Sequence, residues 1–119
     1  MAPLPFRNTL VGFLLCSLVA APYAVAAVIT CNQVVVALTP CIDYLRYGGQ
    51  PSSVCCTGLQ GLNSAATTTF DRQTVCSCVK RAATAVTGLV YQQEVSLPAK
   101  CGLHVPYQIT PTTDCSKVQ

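Results

Sequence analysis

Cysteine has the widest chemical scope of any side chain here. Nine thiols in 119 residues could act as nucleophiles, metal ligands or halves of disulfides. Eight of them, Cys31, Cys41, Cys55, Cys56, Cys76, Cys78, Cys101 and Cys115, follow residue 26, and Cys16 precedes it. Zinc is disfavoured because no Cys-x-x-Cys pair occurs and His104 is the only histidine. Catalysis is disfavoured too: an even set of cysteines leaves no free thiol, and no spacing selects a Ser and an acid to join His104, which reads as a surface residue. A disulfide framework remains. Counting alone allows on the order of a hundred pairings of eight cysteines. On a helix, Cys55 and Cys56 would project about 100° apart and Cys76 and Cys78 about 200° apart, so the members of each close pair face different partners.

The elements that position these cysteines are legible as helices. Val34, Leu38, Cys41, Ile42 and Leu45 fall on one helical stripe, as do Cys55, Leu59, Leu62 and Ala66, and Val75, Cys78, Val79, Ala82 and Val86. Pro40 should bend the first helix, Gly48-Gly49 should end it, and Pro51-Ser52 should open the second. Thr68 followed by Asp71 has the form of a capping box for the third, which runs out near Thr87-Gly88. A shorter fourth helix is expected from about Tyr91 to Ala99, with Pro98 in its last turn. From Gly102 onward, Pro106, Pro111 and paired threonines predict an extended, turning tail held by Cys101 and Cys115. Lys80-Arg81 reads as a solvated helix face able to approach anionic membrane surfaces.

Residues 1–26 read as a removable signal peptide: Arg7 is the only early charge, Leu10 to Ala21 is a short uncharged run, and Ala24-Val25-Ala26 offers small residues for cleavage. The run is too short to span a membrane. The mature single domain is then 27–119, beginning near Ala27 and lacking Cys16. Its six Lys and Arg against four acids are too weak a charge for nucleic acid. A short secreted domain with few aromatics has a thin core, and four disulfides at ~2–4 kcal/mol each could hold a fold whose interior is incompletely filled. A solid core of Val, Leu and Ala would give the same composition.

The cysteine spacing is more specific. Nine residues separate Cys31 from Cys41, thirteen precede the Cys55-Cys56 doublet, nineteen lead to Cys76, one to Cys78, twenty-two to Cys101 and thirteen to Cys115. With Thr68-Thr69-Phe70-Asp71-Arg72 and Pro106-Tyr107-Gln108-Ile109-Thr110, which look like two family pentapeptides, the mature chain resembles the plant non-specific lipid transfer proteins of the type-one group. The second pentapeptide ends in Thr where the family usually has Ser. Ser77, polar between Cys76 and Cys78, favours type one over type two.

The resemblance implies an all-α, disulfide-stapled, right-handed four-helix bundle with a C-terminal tail enclosing a hydrophobic tunnel. It implies the pairs Cys31–Cys78, Cys41–Cys55, Cys56–Cys101 and Cys76–Cys115. It further implies Arg72 and Tyr107 at one mouth, where they bond a lipid headgroup, with Asp71 orienting Arg72 or completing the helix cap. Val34, Leu38, Leu45, Val79, Leu89, Val105 and Ile109 would line the tunnel. From residue types alone, Arg72 is a helix-start charge, Tyr107 a core edge and the aliphatic set a packed core. Two departures stand out: Thr67 replaces a basic residue common before the first pentapeptide, and Glu94 replaces a small apolar residue that often faces the tunnel. If Glu94 points inward, it shortens or obstructs the acyl site.

The implied function is non-enzymatic binding and transfer of fatty acids, lysolipids and phospholipids, without metal or cofactor. The protein would be a secreted, extracellular monomer of the cell wall or apoplast, touching membranes transiently, with a role in cuticle lipid transport or defence. The competing readings are a hydrolase inhibitor of the same cysteine superfamily, against which the pentapeptides argue, and a membrane-active antimicrobial protein, which needs a stronger basic face.

Overall fold

The computed structural model describes residues 28–119, and every element in it is helical. The proposed signal peptide and Cys16 lie outside the described residues. Helix α1 (Cys31–Leu38) begins at Thr30, whose Oγ1 accepts from Gln33 N at 3.3 Å while Gln33 Oε1 accepts from Thr30 N at 2.9 Å. This reciprocal pair satisfies two amides that a helix start leaves open. Pro40 has no N–H to continue the ladder, and the chain tightens there into a 3₁₀ turn, Thr39–Cys41, before α2 (Ile42–Tyr47). The expected first helix is therefore two helices joined by a bend. Gly48, at φ 75°, ends α2.

Ser52 Oγ accepts from Cys55 N at 3.1 Å and opens α3 (Ser53–Ala65). Thr68 Oγ1 accepts from Asp71 N at 3.0 Å and opens α4 (Thr69–Ala85). Only this half of the expected capping box forms. The return bond to the cap amide needs the reach of Glu or Gln, and aspartate is one methylene shorter. Helix α5 (Tyr91–Lys100) contains Pro98, and the chain then turns through Gly102 into the tail, which closes with a 3₁₀ turn at Cys115–Lys117.

Four bridges lace these elements together. Cys31–Cys78 ties α1 to α4, Cys41–Cys55 ties the Pro40 turn to α3, Cys56–Cys101 ties α3 to the end of α5, and Cys76–Cys115 ties α4 to the tail. Cys55 and Cys56 thus face different neighbours, as do Cys76 and Cys78. Where α1 crosses α3 the backbones nearly touch: a Cβ on Gly58 would lie 2.2 Å from the carbonyl oxygen of Ala37.

The packed interior consists of two small clusters rather than one continuous core. Ile29, Val34, Leu62, Ala66 and Cys78 form the first; Cys41, Tyr44, Cys55, Leu97 and Cys101 form the second. Leu38 packs against both. Besides Val34, the largest fully buried side chains are cysteines, so the bridges themselves fill the tightest places. Tyr44 is the one aromatic among the buried core residues, and its hydroxyl shares a 2.6 Å hydrogen bond with Ser96 Oγ, as a buried phenol requires.

Candidate binding cavity

The many aliphatic side chains that are only half-buried surround a cavity of about 730 Å³, within the ~300–1,000 Å³ common for small-molecule sites. Helices α1 and α2 contribute Val34, Leu38, Ile42 and Leu45; α3 contributes Leu59 and Leu62; α4 contributes Val75 and Val79. Val86 and Leu89 come from the link to α5, Val95 and Leu97 from α5 itself, and Leu103, Val105 and Ile109 from the tail. The helical stripes that read as core are thus partly cavity wall. Val34, Leu38, Leu45, Val79, Leu89, Val105 and Ile109 all face one space. Ile42, Leu59, Leu62, Val75 and Val86 were visible only as stripe members; Val95, Leu97 and Leu103 carried no separate signal.

Arg72 and Tyr107 line the same cavity. Burial pushes the Tyr107 phenol above its ordinary range, and the charge of Arg72 pulls it partly back, so the phenol is a neutral donor near a fixed cation. The guanidinium is already engaged: Nε donates to the main-chain oxygen of Gln119 at 2.6 Å, and Nη1 to Ala66 O at 3.2 Å. Gln73, next along α4, donates through Nε2 to Ser116 O and Val118 O at 3.0 and 2.9 Å. Asp71 does not line the cavity. Its backbone amide serves the Thr68 cap, and its carboxylate accepts no hydrogen bond among the described residues, so it does not orient Arg72.

Lys80 departs from its reading as a solvated face. It lies half-buried on the cavity wall, with Nζ donating to Thr113 O at 2.5 Å. Its long apolar stem can follow the wall while the ammonium reaches the tail. Arg81 remains exposed. His104 is exposed and stands at the cavity's edge. Thr67 is exposed and does not line it. Glu94 lines it, and burial pushes its carboxyl above the usual carboxylate range. No described helix is long and apolar enough to cross a membrane.

A hollow apolar space with a cation and a phenol at its wall can enclose an alkyl chain and hold one anionic or zwitterionic end. Comparison with known proteins agrees with this architecture. Residues 31–115 match the model of the protease inhibitor/seed storage/LTP family. The non-specific lipid-transfer protein Lac s 1 of Lactuca sativa is 51% identical over 106 residues, covering 89% of this chain and 90% of the relative. Barley non-specific lipid transfer protein 1, solved with lysophosphatidylcholine, superposes with a TM-score of 0.73 at 40% identity, covering 76% of this chain and all of the barley chain. The wheat protein complexed with two phospholipid molecules gives a TM-score of 0.72 at 38% identity, again over 76% of this chain and all of the other. Eight cysteines in four bridges, a tail closing a hollow bundle and kinship at this level lead to one conclusion: the chain belongs to the plant non-specific lipid transfer protein family.

Proposed function

We propose that this protein binds and carries fatty acids, lysolipids and phospholipids by enclosing their acyl chains in the 730 Å³ cavity, without breaking any bond in them. The cavity carries the reading: its wall is mostly apolar and its cationic groups are few. Each methylene moved from water into such a space contributes ~0.8 kcal/mol, so affinity arises from the chain. Arg72 and Tyr107 then act at the mouth, donating to carboxylate or phosphate oxygens. That the barley and wheat relatives were solved holding a lysolipid and phospholipids supports the same cargo class here.

The bridges Cys31–Cys78 and Cys76–Cys115 support placing the chain in the type-one group. We further assign residues 1–26 as a signal peptide, making the mature protein an extracellular monomer of the cell wall or apoplast that meets membranes only in passing. The test combines mass spectrometry of lipid extracted from the purified protein with displacement of a fluorescent fatty-acid probe. Saturable displacement by long-chain lipids is expected; absence of any saturable binding would overturn the reading.

A further inference from the structure

We propose that the exposed face of α2 and the link to α3 form a second, separate site, one that binds a neutral glycan chain by stacking a pyranose ring on Tyr47. Asp43 and Tyr47 lie about one helical turn apart on one face of α2. With Pro40 before them, Gln50 and Ser52 on the link 48–52, and the buried Tyr44, they line a groove of about 450 Å³. None of these residues lines the lipid cavity. Tyr47 is 79% exposed, more than any other large apolar side chain described, so its ring is free to receive a ligand.

The groove is held in shape before any ligand arrives. The Cys41–Cys55 bridge joins the turn that carries Pro40 to the helix that Ser52 caps, and both of its halves are fully buried. Lys100 Nζ donates to Gly49 O at 3.0 Å and lies 5.5 Å from the centre of the Tyr44 ring, tying the link to α5. Tyr44 is fixed in turn by its hydrogen bond with Ser96. A frame of this kind lowers the ordering cost of binding. Its polar groups, by contrast, are uncommitted. Among the described residues the Asp43 carboxylate, the Gln50 amide and the Tyr47 hydroxyl enter no hydrogen bond, and Ser52 Oγ only accepts, from Cys55 N.

That combination selects its ligand. A pyranose offers a face of C–H groups, which packs on the electron-rich face of an exposed aromatic ring, and a rim of hydroxyls, each donor and acceptor at once. Asp43 accepts hydroxyl protons in charge-assisted bonds, Gln50 both donates and accepts, and Ser52 donates. An alkyl chain would cover these groups and leave them unpaired. A uronic acid would set its carboxylate against Asp43, the one charged residue lining the groove. Because the two sites share no lining residue, the protein can hold a glycan and a lipid at once.

The experiment follows the amide NMR shifts of the disulfide-bonded protein during titration with cellohexaose, a neutral glucan, and with hexagalacturonic acid, an acidic one. Cellohexaose should give saturable shifts concentrated in residues 40–52, and hexagalacturonate should bind there at least tenfold more weakly. Tyr47→Ala should weaken cellohexaose at least tenfold; Tyr47→Phe, which keeps the ring, should weaken it less than threefold. Phe70→Ala removes another exposed aromatic, one that lines neither site, and should leave glucan binding unchanged. Displacement of a fatty-acid probe should be the same in Tyr47→Ala as in wild type. No saturable shifts in 40–52, or equal weakening by Tyr47→Ala and Phe70→Ala, would overturn the site. The fatty-acid displacement, read separately, keeps that result distinct from a failure of lipid binding.

Discussion

Arg72 and Gln119 are joined by a 2.6 Å hydrogen bond from the guanidinium Nε to a main-chain oxygen, 47 residues apart in sequence. The residue best placed to meet a lipid headgroup is therefore also a latch on the tail. Together with the contacts to Ala66 O and, at 3.5 Å, Thr69 Oγ1 it fixes the fork of Arg72, and the N–H donors left over point to ligand.

Arg72→Ala should accordingly have two effects. The tail should loosen, with a stability loss of about 1–2 kcal/mol from charged-donor hydrogen bonds at a partly solvated site, read by chemical denaturation and by faster amide exchange over residues 116–119. Binding of lipids with charged headgroups should weaken a few-fold, equally at every chain length. Arg72→Lys should not restore the latch, because an ammonium cannot reproduce the two-pronged geometry.

Chain length should matter more than the mouth. Shortening the ligand by four carbons should cost up to ~3 kcal/mol, and Leu89→Trp, which fills part of the cavity, should weaken long-chain ligands at least about tenfold while thermal unfolding stays cooperative. A fluorescence displacement series over chain lengths checks both. Flat affinity across the series, with collapse on Arg72→Ala, would place recognition in the headgroup instead.

The close crossing at Gly58 predicts intolerance of a single methyl. In Gly58→Ala the new Cβ would meet the Ala37 carbonyl at 2.2 Å, a backbone atom that cannot swing aside. The helices must separate, at ~1–3 kcal/mol for overpacking, seen as a lower denaturation midpoint under non-reducing conditions. Gly61→Ala, on the same helix with open space around it, is the control and should be neutral or slightly stabilising through helix propensity.

Glu94 gives the protein a pH signature. Its carboxyl holds a proton to higher pH when folded than when unfolded. Its contribution is therefore fully present below the ordinary glutamate range and is lost as pH rises through the raised folded value. Protonation also removes the charge that a plain chain must pass. Lysophosphatidylcholine, whose headgroup charge is constant between pH 7 and about 5, should bind more tightly as pH falls across Glu94's range, and Glu94→Gln should flatten that trend. Both proteins keep His104 at the cavity's edge, so their difference isolates Glu94.

The helices were legible because stripes such as Val34, Leu38 and Leu45 carry the 3.6-residue period, and because Ser52 and Thr68 mark helix starts whatever the tertiary context. The resemblance carried the bridges; angular geometry alone required only that Cys55 and Cys56, and Cys76 and Cys78, part company. Hollowness was not legible, since Leu45 or Val79 would look the same against a packed neighbour as against an empty space. Nor were the partners of Arg72, Gln73 and Lys80, which are main-chain oxygens of the tail or helix end and leave no trace in side-chain identity. Glu94 was conspicuous by type, but its facing depended on how α5 turns after Val90, whose amide donates to Leu45 O.

The divided core also bears on how this protein responds to compression. Unfolding under pressure is driven by the internal void that disappears when the chain opens, and its volume change scales with that void. A small bundle enclosing about 730 Å³ of largely apolar space should be compressible and pressure-labile when empty, yet its four bridges keep the opened chain compact. Lipid, by occupying the void, removes most of the volume that pressure could reclaim. The loaded carrier is thus the stiffer, more barostable form, and hydrostatic pressure opens the empty protein in preference to the loaded one without reducing a single disulfide.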